Sequence, residues 1–510
     1  MIINRSQNAI RNVAFGLIYK ILSVVFPFAV RTVFIHTLGA EYLGLNSLFT
    51  SILTVLNLTE LGFSSAVVFC MYEPIANDDS DAVNALLLLY KKVYRYIGII
   101  ILIVGVAIVP IIKYFIKGSY PEDISIIVVY LFFLLNTVIS YFLFAYLQAL
   151  ITALQREDVL SKVNIVIQSI MYITQIIILL CVHNYYCYIF TMPVFTIISN
   201  IRIAIVAKKM FPNYKPYGKV GKEIKAQLKE KIIGLVINKI CTVSRNAFDS
   251  IFISMFLGLI DTAIYNNYYY ILNAIAMITC VVVNAVVAGA GNSVALETAE
   301  KNYNDMQRMN FIYMWICGWF TICMLCLYQS FMKIWVGESM LYPMGCVVLL
   351  CIYFYILKMS DVRYIYELAR GLWWENRHRS IAEAISNLVL NYILGRFFGV
   401  YGIIIATIFS LFFINFLYGT RIIFRYYFTS NSMAEYFFSQ LKYAGGTLVA
   451  CCVTFGMCNI ISDSIIGFII KCFVCAILPN VLYWLMYHKS NIYIKAYQWV
   501  KPRISYYWHK

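Results

Sequence analysis

The chain has 510 residues, 62% of them apolar and only 13% charged, a balance that excludes a soluble multidomain protein. It belongs in a membrane. Lys and Arg total 40 against 24 Asp and Glu, a net charge of +16, and in a membrane protein such an excess gathers on the cytoplasmic face, so nucleic acid is not an expected partner. The 15 cysteines are scattered through apolar runs without framework spacing and read as small hydrophobes.

A single helix needs about 20 residues to cross the hydrocarbon. On that measure the apolar runs predict spans over residues 12–37, 45–71, 96–116, 124–147, 161–181 and 186–207. Val182, His183 and Asn184 supply the turn that divides the last two. After a Lys-rich break come 232–257, 263–289, 310–332, 342–357, 380–394, 403–420, 444–460 and 464–486, so that about fourteen transmembrane helices are expected in an all-α polytopic fold. No small-residue cleavage site closes the first apolar stretch, and the first helix is expected to remain. With the N-terminus inside, thirty basic residues fall on inner segments and four (Lys113, Lys117, Lys333, Arg396) on outer ones, which predicts cytoplasmic termini.

The longest connection, 208–231, carries eight lysines and divides the chain after six helices. It predicts an N-terminal six-helix lobe (1–207), a basic cytoplasmic linker (208–231), a C-terminal six-helix lobe (232–420), a loop with two extra helices (421–487) and a basic cytoplasmic tail (488–510). The tail mixes Ile, Tyr and Trp with Lys in the manner of an interfacial helix. An internal repeat is consistent with this division: Leu38-Gly39 turns the first hairpin ahead of Asn46, and Leu257-Gly258 turns the seventh helix ahead of Asn266. Transporters commonly bind substrate between such repeats.

Charges inside spans are the informative residues, since a lone cation at a helix centre costs about 2.5 to 3.5 kcal/mol. Lys20 and Arg31 lie eleven residues apart, three turns and about 16 Å along one helix face. The seventh helix places Asn238, Thr242, Arg245 and Asp249 on one face, with Arg245 and Asp249 spaced for an internal ion pair and Lys239 without an acid at helical reach. Neutral amides and phenols join them: Asn46, Thr50 and Asn57 on the second helix; Asn266, Tyr270 and Asn273 on the eighth. These groups can glue helices together or meet a hydroxylated ligand. Lys471 in the last span is left without a role. Two C-x-x-C pairs, Cys323 with Cys326 and Cys472 with Cys475, lie within spans and read as packing. The cluster from Glu375 to Arg379 reads as an inner loop. No phosphate loop, paired-His metal motif or nucleophile elbow is present, and no cofactor is expected.

The run from Leu38 to Asn46 (Leu-Gly-Ala-Glu-Tyr-Leu-Gly-Leu-Asn), followed by Leu58-Thr59-Glu60-Leu61-Gly62, resembles the first hairpin of the bacterial polysaccharide transporters, the O-antigen and capsule repeat-unit flippases. Tyr265 to Leu272, Gly291-Asn292-Ser293, Trp335-Val336-Gly337-Glu338 and Asn387-Leu388-Val389-Leu390 extend the likeness through most of the chain. The wider multidrug/oligosaccharidyl-lipid/polysaccharide exporter superfamily includes peptidoglycan-precursor flippases and multidrug antiporters. The resemblance implies two six-helix lobes plus two C-terminal helices, and Arg31 is similar to the first-helix cavity arginine of the precursor flippases.

Together these readings predict a transporter, not an enzyme, in the bacterial cytoplasmic (inner) membrane: a flippase that moves an undecaprenyl-pyrophosphate-linked oligosaccharide by alternating access. Membrane lipids and other glycan-assembly proteins are its expected partners. Arg31, Lys239, Arg245 and Lys20 would meet pyrophosphate, where a buried cation gains a partner in low dielectric. Asn46, Asn57, Asn266, Tyr270 and Asn273 would meet sugar, Asp249 and Glu60 would couple or gate, and Na⁺ or H⁺ would drive the cycle. A multidrug or cation antiporter of the same superfamily is the first rival and calls for net acid in the cavity. A membrane-embedded glycan polymerase or ligase is the second, and the short outer loops argue against it.

Overall fold

The computed structural model describes residues 5–57, 63–221 and 247–508, and every regular element among them is helical. The chain forms two compact units, Met1–Ala263 and Ile264–Lys510. Unit 1 holds α1 (Arg5–Thr37), α2 (Ala40–Leu56), α3 (Phe63–Ala76), α4 (Ser80–Ile108), α5 (Ile126–Phe142), α6 (Ala145–Ala153), α7 (Glu157–Cys181) and α8 (Tyr185–Met210). It also holds α9, described over Ala247–Phe256. α10 (Leu259–Leu296) leads into unit 2, which continues with α11 (Ala299–Val336), α12 (Met344–Met359), α13 (Asp361–Arg370), α14 (Arg377–Phe409), α15 (Gly419–Tyr426), α16 (Met433–Ile460), α17 (Ile465–Tyr487) and α18 (Asn491–Trp508).

Among the described residues, ten helical runs are long and apolar enough to cross a membrane, or eleven if α5 and α6 count as one broken span; α2, α3 and the described part of α9 are shorter apolar helices. The expected turn at Val182-His183-Asn184 separates α7 from α8, with His183 at φ 52° and the Asn184 side chain accepting from Cys187 N at 3.1 Å. The span expected over 45–71 is described as α2, to Leu56, and α3, from Phe63, its middle at 58–62 lying outside the described residues. Two expectations need correction. The span expected over 124–147 is broken: Phe144 takes φ 58° and α6 leaves α5 at 52°. α4 starts at Ser80, well before residue 96, because Asp79 caps it by accepting from Ala82 N and an amphipathic stretch carries it beyond the hydrocarbon.

The run Arg377–Tyr426 covers both spans expected over 380–394 and 403–420. At 1.5 Å per residue a straight helix of its 50 residues would be about 75 Å long. It is a hairpin instead. Gly399 leaves helical geometry at φ 60° and ψ −136°, Gly402 packs on the backbone of Leu394, and Asn387 Nδ2 donates to Thr407 Oγ1 at 3.1 Å. The returning arm includes a π-helical stretch, Ser410–Tyr418.

Both Leu-Gly turns of the proposed repeat behave alike. Gly39 (φ 96°) and Gly258 (φ 106°) occupy a left-handed region that favours glycine, and each joins two helices with a break of two residues. Gly44 lies against the backbone of Leu259, and Lys117 N donates to Ser254 O at 3.0 Å, so the described part of α9 and the turn after it pack on α2 and on the end of the α4 segment. The start of the basic linker is held as well, Lys215 N donating to Asn84 Oδ1 at 2.7 Å and Tyr217 OH to Asp81 at 2.8 Å.

A side chain at Gly44 must displace backbone rather than a flexible neighbour. Gly44→Val is expected to lower the thermal midpoint of the detergent-solubilised protein by the equivalent of about 1–3 kcal/mol. Gly445→Ala, where nothing lies within 4 Å, should leave the midpoint unchanged or raise it. Melting followed by size-exclusion chromatography reads both.

Candidate functional site

The α5–α6 break does more than bend a span. It turns Gln148 and Thr152 of α6 toward Ser140 and Tyr141 of α5, opposite Ser64 and Tyr72 of α3 and Tyr90 and Tyr94 of α4, around a cavity of about 690 Å³ inside unit 1. That lies within the range of small-molecule sites, about 300–1,000 Å³. Asn57, at the end of α2, closes the wall and accepts from Tyr141 OH at 3.1 Å. Tyr90 OH donates to Ser64 Oγ at 3.0 Å, and Gln148 Nε2 to Asn200 Oδ1 at 3.0 Å. Tyr90 and Tyr94, one helical turn apart, stack at 4.1 Å, and Tyr141 stands 5.5 Å from Tyr94. No Lys, Arg, Asp or Glu is among the described lining residues. Hydroxyls that rotate and amides that both donate and accept suit an uncharged, hydroxylated guest, and phenol rings offer it apolar faces.

Of the described residues among those singled out in the sequence, Asn57 alone lines this chamber. Lys20 and Arg31 sit half-buried on α1, which continues unbroken through Pro27, so their shared face is retained. Arg31 is within electrostatic reach of Tyr188 on α8, beside the buried rings of Phe34 and Tyr185. Asn46 is half-buried on α2, and its Oδ1 accepts no hydrogen bond from the described residues. Asp249 is 1% exposed in α9. Lys239, Arg245 and Glu60 lie outside the described residues. In unit 2, Asn266 and Tyr270 are half-buried and Asn273 is exposed, while Asn267 and Tyr268 point into the core, where Tyr268 OH donates to Gln329 Oε1 at 2.6 Å. The chamber's tyrosines and serines were passed over because each reads singly as a helix-packing residue; the i, i+4 pair Tyr90 and Tyr94 was the available signal.

A second groove of about 350 Å³ runs between α7 and α8, with Lys162 and Arg202 above Val163, Val166, Ile167, Ile198 and Val206. Lys162 also pairs with Asp158 at 3.1 Å and stands over the Phe15 ring at 4.2 Å.

The cluster expected as an inner loop, Glu375 to Arg379, divides: Glu375 and Asn376 lie in the turn between α13 and α14, whereas Arg377, His378 and Arg379 begin α14, and Asn376 and Arg379 are buried. Arg363 pairs with Glu367 on α13; Asn376 Nδ2 donates to Glu367 Oε2 (3.3 Å) and Arg379 Nε to Asn376 Oδ1 (2.9 Å). Arg379 reaches Glu383 at 3.5 Å, Asn415 Nδ2 donates to Glu383 Oε2 at 2.8 Å, and Arg363 Nη2 returns to Asn415 O at 3.0 Å. The six residues form a closed, charge-neutral ring, completed through the Asn415 backbone carbonyl, with Arg363 and Glu367 each 1% exposed. Asn415 belongs to the π-helical stretch, so the widened turn and the hairpin at Gly399 together complete the circuit. Beside it, Lys358 pairs with Asp361 at 3.1 Å, and Asp361 accepts from Tyr313 OH at 2.6 Å.

Lys471 neither snorkels to water nor faces lipid alone. It is 5% exposed and donates to Asp463 Oδ1 at 2.6 Å and to Ser330 Oγ at 3.2 Å. Hydrogen bonds from Lys471 and Ser330 hold the Asp463 carboxyl, in the connection between α16 and α17, below its usual range. The pair's contribution is therefore present above the ordinary aspartate pKa and lost as pH falls through the depressed one.

No protein-family model and no curated protein matches the sequence. Solved structures do. The lipid II flippase MurJ, in its inward closed conformation, aligns with a TM-score of 0.68 at 15% identity over 93% of this chain and 99% of that one. An inward-facing multidrug resistance MATE transporter of the MOP superfamily aligns at 0.57 and 12% identity, over 81% of this chain and 98% of its own. A mutant of the Vibrio cholerae MATE transporter VcmN aligns at 0.52 and 14% identity, over 85% and 99%. The chain has the fold of these membrane transporters.

The neutral ring yields a stability prediction. Arg363→Ala leaves the buried Glu367 without its ion-pair partner and the Asn415 carbonyl without its donor and should cost about 3–5 kcal/mol, whereas the paired change Arg363→Met with Glu367→Leu should recover most of that. Unfolding of the solubilised protein measures both. A loss below about 1 kcal/mol in the single variant would mean that the ring does not hold the hairpin to α13.

Proposed function

We propose that the protein is a flippase for undecaprenyl-pyrophosphate-linked oligosaccharide repeat units, moving them from the cytoplasmic to the outer leaflet of the bacterial cytoplasmic membrane by alternating access. The glycan would serve O-antigen, capsule or exopolysaccharide assembly. The observation that carries this reading is the chamber of unit 1, whose described lining holds hydroxyls, amides and stacked phenols that suit sugar and no carboxylate to pair with a drug cation. It opens in the unit whose first helix carries Lys20 and Arg31, so that glycan and pyrophosphate have separate, chemically matched partners. The groove at Lys162 and Arg202, cations above aliphatic walls, fits an anionic head with an apolar chain. The fold shared with a lipid II flippase supports the same substrate class.

In this reading Arg31, Lys20, Lys239 and Arg245 neutralise pyrophosphate. Asn57, together with Asn46, Asn266, Tyr270 and Asn273, meets hydroxyls. Asp249 and Glu60 couple transport to Na⁺ or H⁺. A multidrug antiporter is the second reading, favoured by the buried carboxylate of Asp249 and by the fold shared with MATE transporters.

A charge-assisted hydrogen bond is worth about 1.5–3 kcal/mol, so Arg31→Ala with Lys239→Ala should reduce surface glycan at least tenfold at equal membrane abundance. Tyr141→Phe, which removes the donor to Asn57, is expected to weaken glycan export several-fold while leaving the fold intact. Immunoblots of surface polysaccharide in a strain lacking its own flippase check both. Unchanged glycan together with altered drug resistance would transfer the assignment to the antiporter.

A further inference from the structure

Three buried cysteines from three different helices converge in unit 2. Cys326 of α11, Cys458 of α16 and Cys475 of α17 have their sulfurs within 4.8 Å of one another, with Cys458 Sγ and Cys475 Sγ 3.8 Å apart. Their exposures are 7%, 2% and 1%. Three thiolates around one ion at the zinc–thiolate distance of about 2.3 Å stand about 4 Å from each other in a trigonal arrangement, close to this spacing. A buried cysteine by itself is a small hydrophobe. Three that meet at one point, each from a separate helix, form a ligand set, and among the described residues no other group of His, Cys, Asp or Glu gathers this way.

The surroundings answer the charge that such a set would carry. Lys471 lies one turn before Cys475 on α17, within electrostatic reach of both Cys458 and Cys475. Its ammonium is fixed by Asp463, whose side chain is 56% exposed. The surface therefore leads through Asp463, Ser330 and Lys471 to the thiols, a polar path in an otherwise apolar packing. Cys323 lines the approach, its thiol 3.7 Å from the carbonyl of Cys475.

We infer that Cys326, Cys458 and Cys475 bind one thiophilic d¹⁰ metal ion, Cu(I) or Zn(II), which fastens the two C-terminal spans to α11. Soft sulfur ligands select these ions over Mg²⁺ or Ca²⁺. On binding, each coordinating thiol gives up its proton, which leaves along the Lys471–Asp463 path, and three metal–sulfur bonds form without change of oxidation state. The inference stands apart from the transport reading, since no residue of the chamber takes part.

The test uses the full chain in detergent, reduced and stripped of metal, then loaded with one equivalent of Zn(II) or of Cu(I) in separate samples and challenged with a competing chelator. The expected result is one retained ion in at least one sample, an X-ray absorption shell of three sulfurs at about 2.3 Å, and a raised thermal midpoint. Cys452→Ser, at an exposed cysteine, should retain the ion. The variant carrying Cys326→Ser, Cys458→Ser and Cys475→Ser should lose both ion and midpoint shift; should it fail to fold, Cys458→Ser alone gives the same comparison. Equal retention in the serine variant, a shell of nitrogen and oxygen only, or a peptide map with Cys458 and Cys475 joined as a disulfide would each overturn the assignment.

Discussion

A charge inside a membrane protein has to be answered by the protein, because hydrocarbon neither solvates it nor screens it. Much of this structure follows from that constraint. In unit 2 the answer is internal: Arg363, Glu367, Arg379 and Glu383, with two asparagines, close into a ring whose formal charge is zero, and Lys471 is met by Asp463. Such rings contribute little net stability against an apolar alternative, yet they penalise any displacement that opens them. They therefore specify the position of a helix more than they strengthen it. α13, the hairpin at Gly399 and the π-helical turn are held in one register by groups that cannot be parted cheaply.

Breaks in the helices are the second device. A straight span presents side chains only along its faces, whereas a bend turns part of the helix across its neighbours. The left-handed Phe144 lets α6 depart from α5 by 52°, and this brings Gln148 and Thr152 beside the end of α2 and the tyrosines of α4. The same logic holds at Gly399, where a reversal allows Asn387 to bond Thr407 across the hairpin. Backbone irregularity at membrane depth is tolerated where it is packed by protein or lines a cavity, and the α5–α6 break, which lines the chamber, meets that condition.

The parts of the fold legible in the sequence were those that depend on length and sign. Apolar runs located most spans, Asn184 and the two Leu-Gly turns marked the breaks between helices, and the positions of Lys20 and Arg31 marked one polar face. Three-dimensional convergence was not legible. Arg379 looked like a loop charge because a positive-inside count weighs only position relative to a span, and no local pattern reveals that Glu383 and Asn415, 32 residues apart, share a hydrogen bond. The chamber hid for a related reason. Serine and tyrosine are ordinary in membrane helices, and only the bend of α5 into α6 makes them neighbours. Cys326 and Cys475 were visible as members of C-x-x-C pairs, but the third sulfur comes from Cys458, in neither pair.

Separating charge from hydroxyl recognition has a consequence for selectivity. A site that binds through a fixed cation discriminates by charge and grips strongly. A chamber of rotatable hydroxyls and amides discriminates by how many of its donors and acceptors are satisfied, and each unsatisfied one costs about 1–3 kcal/mol when buried. Under the proposed flippase function, the cations of the first helix would hold the pyrophosphate common to all repeat units, and the weaker, adaptable contacts of Asn57, Tyr141 and Gln148 would meet the part that varies. A transporter must also release what it binds, and many modest hydrogen bonds are given up one at a time, whereas a single deep ion pair is not. On that reading a chamber whose described lining is uncharged would favour turnover as much as recognition, and the demand for a steep change in affinity would fall on the cations of the first helix.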